Sequence, residues 1–149
     1  MSLLFARVTM MVMVVGLVAA ACSSSDKTVG QQARAWAAST GWAATVRQLQ
    51  GDLHRLSGLG EDTAGVRRTV CDVLVTDALS ANQQLPTPDR ALTGFLSDAY
   101  TAAADAGRDC FKGSVPVETA TARAASAAAD LVRAQARYDS LTSTLPGAS

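Results

Sequence analysis

The chain has 149 residues, with 13 basic and 13 acidic side chains and one histidine, for a formal net charge of zero at pH 7. That balance argues against nucleic-acid binding, which needs a basic stripe, and against electrostatic docking onto anionic lipid head groups. The length allows one domain with a modest core.

The first elements form a leader. One positive charge, Arg7, precedes an apolar segment from Val8 to Val18, then Ala19-Ala20-Ala21-Cys22, then polar Ser23-Ser24-Ser25-Asp26. This stretch resembles a bacterial lipoprotein signal peptide. The resemblance implies that Cys22 carries a diacylglyceryl group on its sulfur and that the chain is cut between Ala21 and Cys22. Ala20 and Ala21 fit the family's small-residue pattern, whereas Ala19 stands where the family prefers a larger aliphatic such as leucine. Ala19-Ala20-Ala21 is also a small-x-small site for an ordinary signal peptidase, which would release a secreted protein. An uncleaved membrane helix is too short, because Val8 to Ala21 would span about 21 Å against a hydrocarbon core of about 30 Å. Residues 1–21 are therefore expected to be removed, 22–30 to act as a flexible tether, and 31–145 to form a helical bundle domain.

Cysteine parity supports the anchor. The chain has three cysteines, Cys22, Cys71 and Cys110, and an odd thiol is a liability in an oxidising compartment. Lipidating Cys22 leaves an even pair. Arginine outnumbers lysine 11 to 2 and alanine is abundant, both signs of GC-rich coding. With the leader, the body resembles small actinobacterial lipoproteins that carry two cysteines in a helical domain.

Past the tether, the spacing predicts a first helix over Gln31–Ser57, with Trp42, Val46, Leu49, Leu53 and Leu56 on one stripe and Gly58-Leu59-Gly60 as its stop. A second helix is predicted over Glu61–Gln84, capped by Asp62, with Val66, Val70, Leu74, Ala81 and Leu85 inward and Cys71 and Ala78 on the flank. Leu85-Pro86-Thr87-Pro88 breaks the pattern, and Thr87 reads as N-cap of a third helix that ends near Lys112. Its seam is Leu92, Leu96, Ala99, Ala103, Ala106 and Cys110. The last helix, about Pro116 to Thr142, repeats Val117, Ala120, Ala124, Ala127, Leu131, Ala134, Tyr138, Leu141 and Leu145 at threes and fours. These elements point to an all-α fold, an antiparallel up-down-up-down four-helix bundle with one disulfide.

That disulfide joins Cys71 and Cys110. In an exported chain it closes a loop of about 39 residues, worth about 4 kcal/mol in the chain-entropy model. One tension attends it. Measured from the proline turn, the two cysteines differ by 8 residues, about 12 Å along ideal antiparallel helices, against a Cα–Cα limit near 7 Å.

Catalytic patterns are missing from the sequence. His54 has no second histidine, and Asp52 and Arg55 do not share its helical face, so it reads as a surface residue. No Gly-x-Ser-x-Gly, Ser-x-x-Lys or Cys-x-x-Cys-His occurs. Asp98, Asp105 and Asp109 read as a solvated face, and Asp77 as a flank residue close to the seam. Trp36 and Trp42 are six apart, about 120° around one helix, and so would not share a face. The expectation is a protein lipid-anchored to the outer face of the cell membrane, not an enzyme, without metal or cofactor. It would act as an interaction or structural module with an envelope protein as partner. The alternative is a bundle that holds a small apolar molecule.

Overall fold

The helix predicted over Gln31–Ser57 is two helices. In a computed structural model of the protein, which describes residues 28–59, 64–113 and 115–143, α1 spans Val29–Thr40 and α2 spans Trp42–Ser57. Gly41 separates them at φ 66° and ψ 26°, the left-handed region that glycine enters without a Cβ penalty. Its N–H closes α1 on the Ala37 carbonyl, and its own carbonyl accepts from the Ala44 N–H of α2. The break overturns the expected separation of the tryptophans. On one straight helix they would diverge, but the turn at Gly41 brings the Trp36 and Trp42 rings to 5.8 Å.

Helix α1 starts within the stretch read as tether. Thr28 Oγ1 accepts from the Gln31 N–H, and Gln31 Oε1 accepts in return from the Thr28 N–H, a reciprocal cap that fixes the first turn. The predicted leader, Cys22, the Asp62 cap and Leu145 lie outside the described residues.

Three more helices follow: α3 (Ala64–Asn82), α4 (Arg90–Lys112) and α5 (Val117–Ser143). Among the described residues the fold is all-helical. Helix α4 lies between α3 and α5 along most of its length, α2 packs on α3 and α5, and α1 packs mainly on α5. All five stripe residues of α2 are buried, as are Ala120, Ala124, Ala127, Leu131 and Ala134 of α5. The alanine run lets α4 approach closely, as ridges-into-grooves packing requires of small side chains.

Helix α3 is rotated from the expected face. Cys71, Leu74, Ala78 and Ala81 are buried, while Val66 is 49% exposed. Cys71 and Cys110 form a disulfide with Cα atoms 5.8 Å apart. Gly107 sits one turn from Cys110, and a Cβ there would come within 2.8 Å of the Cys71 carbonyl oxygen and 2.7 Å of Val75 Cγ2. The α3 and α4 backbones thus touch at the bond, which pulls Cys71 from flank to centre.

The connector resolves the register tension. Cys71 lies 11 residues before the end of α3 and Cys110 lies 20 after the start of α4, a mismatch of about 14 Å. Residues 83–89 bridge it. A single turn continues α3, with the N–H groups of Gln83, Gln84 and Leu85 bonded to Ser80, Ala81 and Asn82 carbonyls. The remaining stretch through Pro86 and Pro88 is not helical. The four residues 86–89 reach up to about 14 Å when extended, which matches the offset. The helix start differs from expectation for the same reason. Asp89, not Thr87, caps α4, accepting from the Leu92 N–H at 2.8 Å, while Thr87 Oγ1 bonds to the Asp89 carbonyl and to Thr93 Oγ1.

Candidate functional site

Three places in the bundle hold polar or reactive groups in unusual settings. The first is the disulfide end. Leu56 of α2, Leu59 just past its end, Cys110 and Asp109 on α4, and Val117 and Ala120 on α5 line most of a hollow of about 200 Å³, with Arg67 of α3 at its wall. Small-molecule pockets are usually about 300–1,000 Å³, so this one suits only a small apolar guest. Asp109 forms an ion pair with Arg123 across α4 and α5.

The second is the aromatic end. Trp42 is buried and stacks at a tilt on Tyr138, ring centroids 4.6 Å apart. The Trp36 indole N–H donates to the Gln84 carbonyl of the α3–α4 connector at 3.0 Å. Trp36, partly buried against the core, therefore clamps the connector. The Tyr100 hydroxyl and the Trp42 indole nitrogen are both buried and lack a partner of normal hydrogen-bond geometry. Burial pushes Tyr100 up to about 12, and the nearby Trp42 N–H draws it back.

The third is a pair of carboxyl groups between α2 and α3. Asp52 is 1% exposed. Its Oδ1 accepts from Arg55 Nη1 at 3.0 Å, and its Oδ2 is buried without a donor. Asp77, half-buried on α3, lies within side-chain hydrogen-bond reach of it and accepts from Gln48 Nε2 at 3.1 Å. Burial, then the Asp77 carboxyl, pushes Asp52 up to about 6 against the pull of Arg55. The seam reading of Asp77 corresponds to its half-buried position. Asp52 was missed, although its spacing carries the signal. It stands three after Leu49 and four before Leu56, a core position on the stripe.

Elsewhere the acidic residues are structural. Asp89 Oδ1 and Oδ2 accept from Arg137 Nε at 3.0 Å and Nη2 at 2.7 Å, which ties the start of α4 to α5. That guanidinium holds the Asp89 carboxyl below the usual carboxylate range. Asp98 is exposed and Asp105 pairs with Arg108 at 2.8 Å. His54 is exposed and stands beside a shallow hollow shared with Thr121, Ala124, Ala125 and Ala128 of α5. Among the described residues, no three His, Cys, Asp or Glu side chains come together to hold a metal ion, and no helix is long and apolar enough to cross a membrane. In comparisons with known proteins, the chain matches no family model, no curated protein and no solved structure.

Proposed function

We propose that this chain is a lipid-anchored protein of the outer face of the cell membrane, and that its bundle is a non-enzymatic interaction or structural module of the envelope. The carrying observation is the Cys71–Cys110 bond. It commits both body cysteines in the way an oxidising compartment favours, and leaves Cys22 as the single thiol available for an anchor. In this reading α2 to α5 are the four members of an up-down-up-down bundle. Helix α1 is an added segment that carries the chain from the anchor onto α5. Arg34 Nη2 donates to the Thr142 carbonyl at 2.9 Å, so the anchored end is fastened to the last helix. A tether of a few residues then holds the bundle close to the bilayer.

The test is the mass and partition of the mature protein. Cys22 should carry a glyceride and acyl mass and the protein should sediment with membranes. Cys22→Ala should lose the mass and the sedimentation together. An unmodified N-terminal cysteine on a freely soluble product overturns the anchor. Cross-linking on intact cells should then recover one specific envelope protein, and uniform labelling of abundant neighbours overturns the module.

The 200 Å³ hollow at the disulfide end favours a second reading, a bundle that holds a small apolar molecule. Native mass spectrometry of the gently purified protein should show a bound mass in that case, and a clean apo mass removes it.

A further inference from the structure

We propose that Asp52 and Asp77 share one proton across the α2–α3 joint, and that losing it loosens the joint, so that the pair is a proton-operated latch. The proposal does not depend on the anchor or on the envelope role.

The count of hydrogens carries the argument. Ionised carboxylates only accept, so two of them can bond to each other only through an added proton. Asp52 Oδ1 is occupied by Arg55 and one oxygen of Asp77 by Gln48. Gln48 stands one turn before Asp52 on α2, so both side chains meet Asp77 from the same helix. Asp52 Oδ2 is enclosed, has no donor, and is on a side chain within reach of the Asp77 carboxyl. A single proton between the two groups satisfies the arrangement. Without it, a buried oxygen lacks a partner and two like charges face each other, both unfavourable in a low-dielectric setting.

Few other charges enter. From α2, Arg55 acts on Asp52 through one bond, from a side chain 65% exposed to water. From α3, Asp77 opposes it. Helices α1, α4 and α5 bring no charged group to bear on Asp52 among the described residues. Burial, the leading cause, raises Asp52 to about 6.

The surroundings give the loosened joint somewhere to go. A hollow of about 260 Å³ opens between α2, α3 and the connector at Thr45, Gln48, Asp77, Ser80 and Gln84, and gives water access to the Asp77 side of the pair. Besides Gln48–Asp77, the joint has the Gln84–Thr45 bond, which is long at 3.5 Å. Helix α3 is bonded covalently to α4 on its other side. The movement therefore belongs to α2.

Hydrogen exchange of the full chain in mild detergent, corrected for intrinsic rates, tests this. Amides of α2, and those of α3 that face it, should be about 10-fold better protected at pH 5 than at pH 8, while α4 and α5 differ little. Asp52→Asn supplies its own N–H donor and should remove the difference, with high protection at both pH values. Asp77→Asn supplies a donor from the opposite side and serves should the first variant fail to fold. Infrared titration of the wild-type carboxylic-acid band should show one group with a midpoint near 6 that is absent from either variant. Equal protection at the two pH values, a pH step that survives in both variants, or no carboxyl titrating above about 5 overturns the latch.

Discussion

Helix α3 has two neighbours and is joined to them by opposite means. Towards α4 it is held by a covalent bond and by backbone contact at Gly107, where no group titrates. Towards α2 its apolar face joins the shared core, and the rim of that contact is made by polar side chains, with an acid facing an acid. The first joint is indifferent to pH and strict about volume. The second tolerates space and responds to protons. A bundle built this way keeps α3, α4 and α5 as a fixed frame and lets α2 adjust against it. The Asp89–Arg137 clasp of that frame makes the same point from the other side, because there the carboxylate has three donors and the Asp52–Asp77 pair lacks one.

The widest break in this contrast comes from the covalent joint. Replacing Cys71 and Cys110 together by alanine should lower stability by about 4 kcal/mol, read as a fall in the urea midpoint with a rise in slope, because the unfolded chain is less compact without the bond. The pH response of α2 should survive, since the bond lies on the far side of α3. A midpoint within error of wild type would make the bond ornamental. The next largest effect is Gly107→Ala. Its methyl would meet the Cys71 carbonyl oxygen at 2.8 Å, a backbone atom that can yield only if α3 moves away. Overpacking of this kind costs about 2 kcal/mol. Unchanged stability would mean that the α3–α4 joint has slack after all.

Opposite pH signs sharpen the comparison. Asp52 is raised in the folded state, so the stability it confers is fully present below about 3.8 and is lost as pH rises through about 6. Asp89 is lowered, so its contribution is present above the ordinary carboxylate value and is lost as pH falls through its depressed folded value. Asp89→Asn keeps an N-cap acceptor and removes the charge. It should lower the melting temperature at pH 7, and progressively less below pH 4. Thermal unfolding at pH 7 and pH 3 checks both size and sign. A constant deficit across that range would mean that the charge of the ion pair does not carry the loss.

Helical periodicity made most of the fold legible, because alanine and leucine at threes and fours leave little ambiguity once prolines mark the breaks. What stayed hidden was non-local. Gly41 follows Ser39 and Thr40, a weak stop signal inside an otherwise unbroken stripe, and glycine inside a helix is tolerated often enough to pass unnoticed. The face of α3 depends on its partner. Val66 looks like a core residue by type, but the bond to Cys110 and the close backbone contact at Gly107 set the rotation, and it is left 49% exposed while Val70 stays partly buried against the core. The disulfide itself was readable from compartment logic, whereas its register needed the length of residues 83–89, which helix counting ignores. Asp52 shows the limit of reading by residue type: its spacing was that of a core residue, and the Arg55 bond together with the facing Asp77 explains how a carboxyl group is accommodated there.

The smallest effect concerns the rim where the fixed frame meets α1. Trp36 reaches across Gly41 to donate to the Gln84 carbonyl, and Gln84 also touches Thr45 at the edge of the adjustable joint. Trp36→Phe keeps an aromatic ring beside Trp42 and removes only the indole N–H. The carbonyl then loses a part-buried donor, a cost of about 1 kcal/mol. If the connector is passive, the loss should appear as global destabilisation and nothing more. If the clamp also steadies α2, exchange at α2 amides should rise at pH 8 and stay near wild type at pH 5, where the shared proton still holds the joint. A uniform rise at both pH values would separate the clamp from the acid pair and confine the adjustable region to the two carboxyl groups.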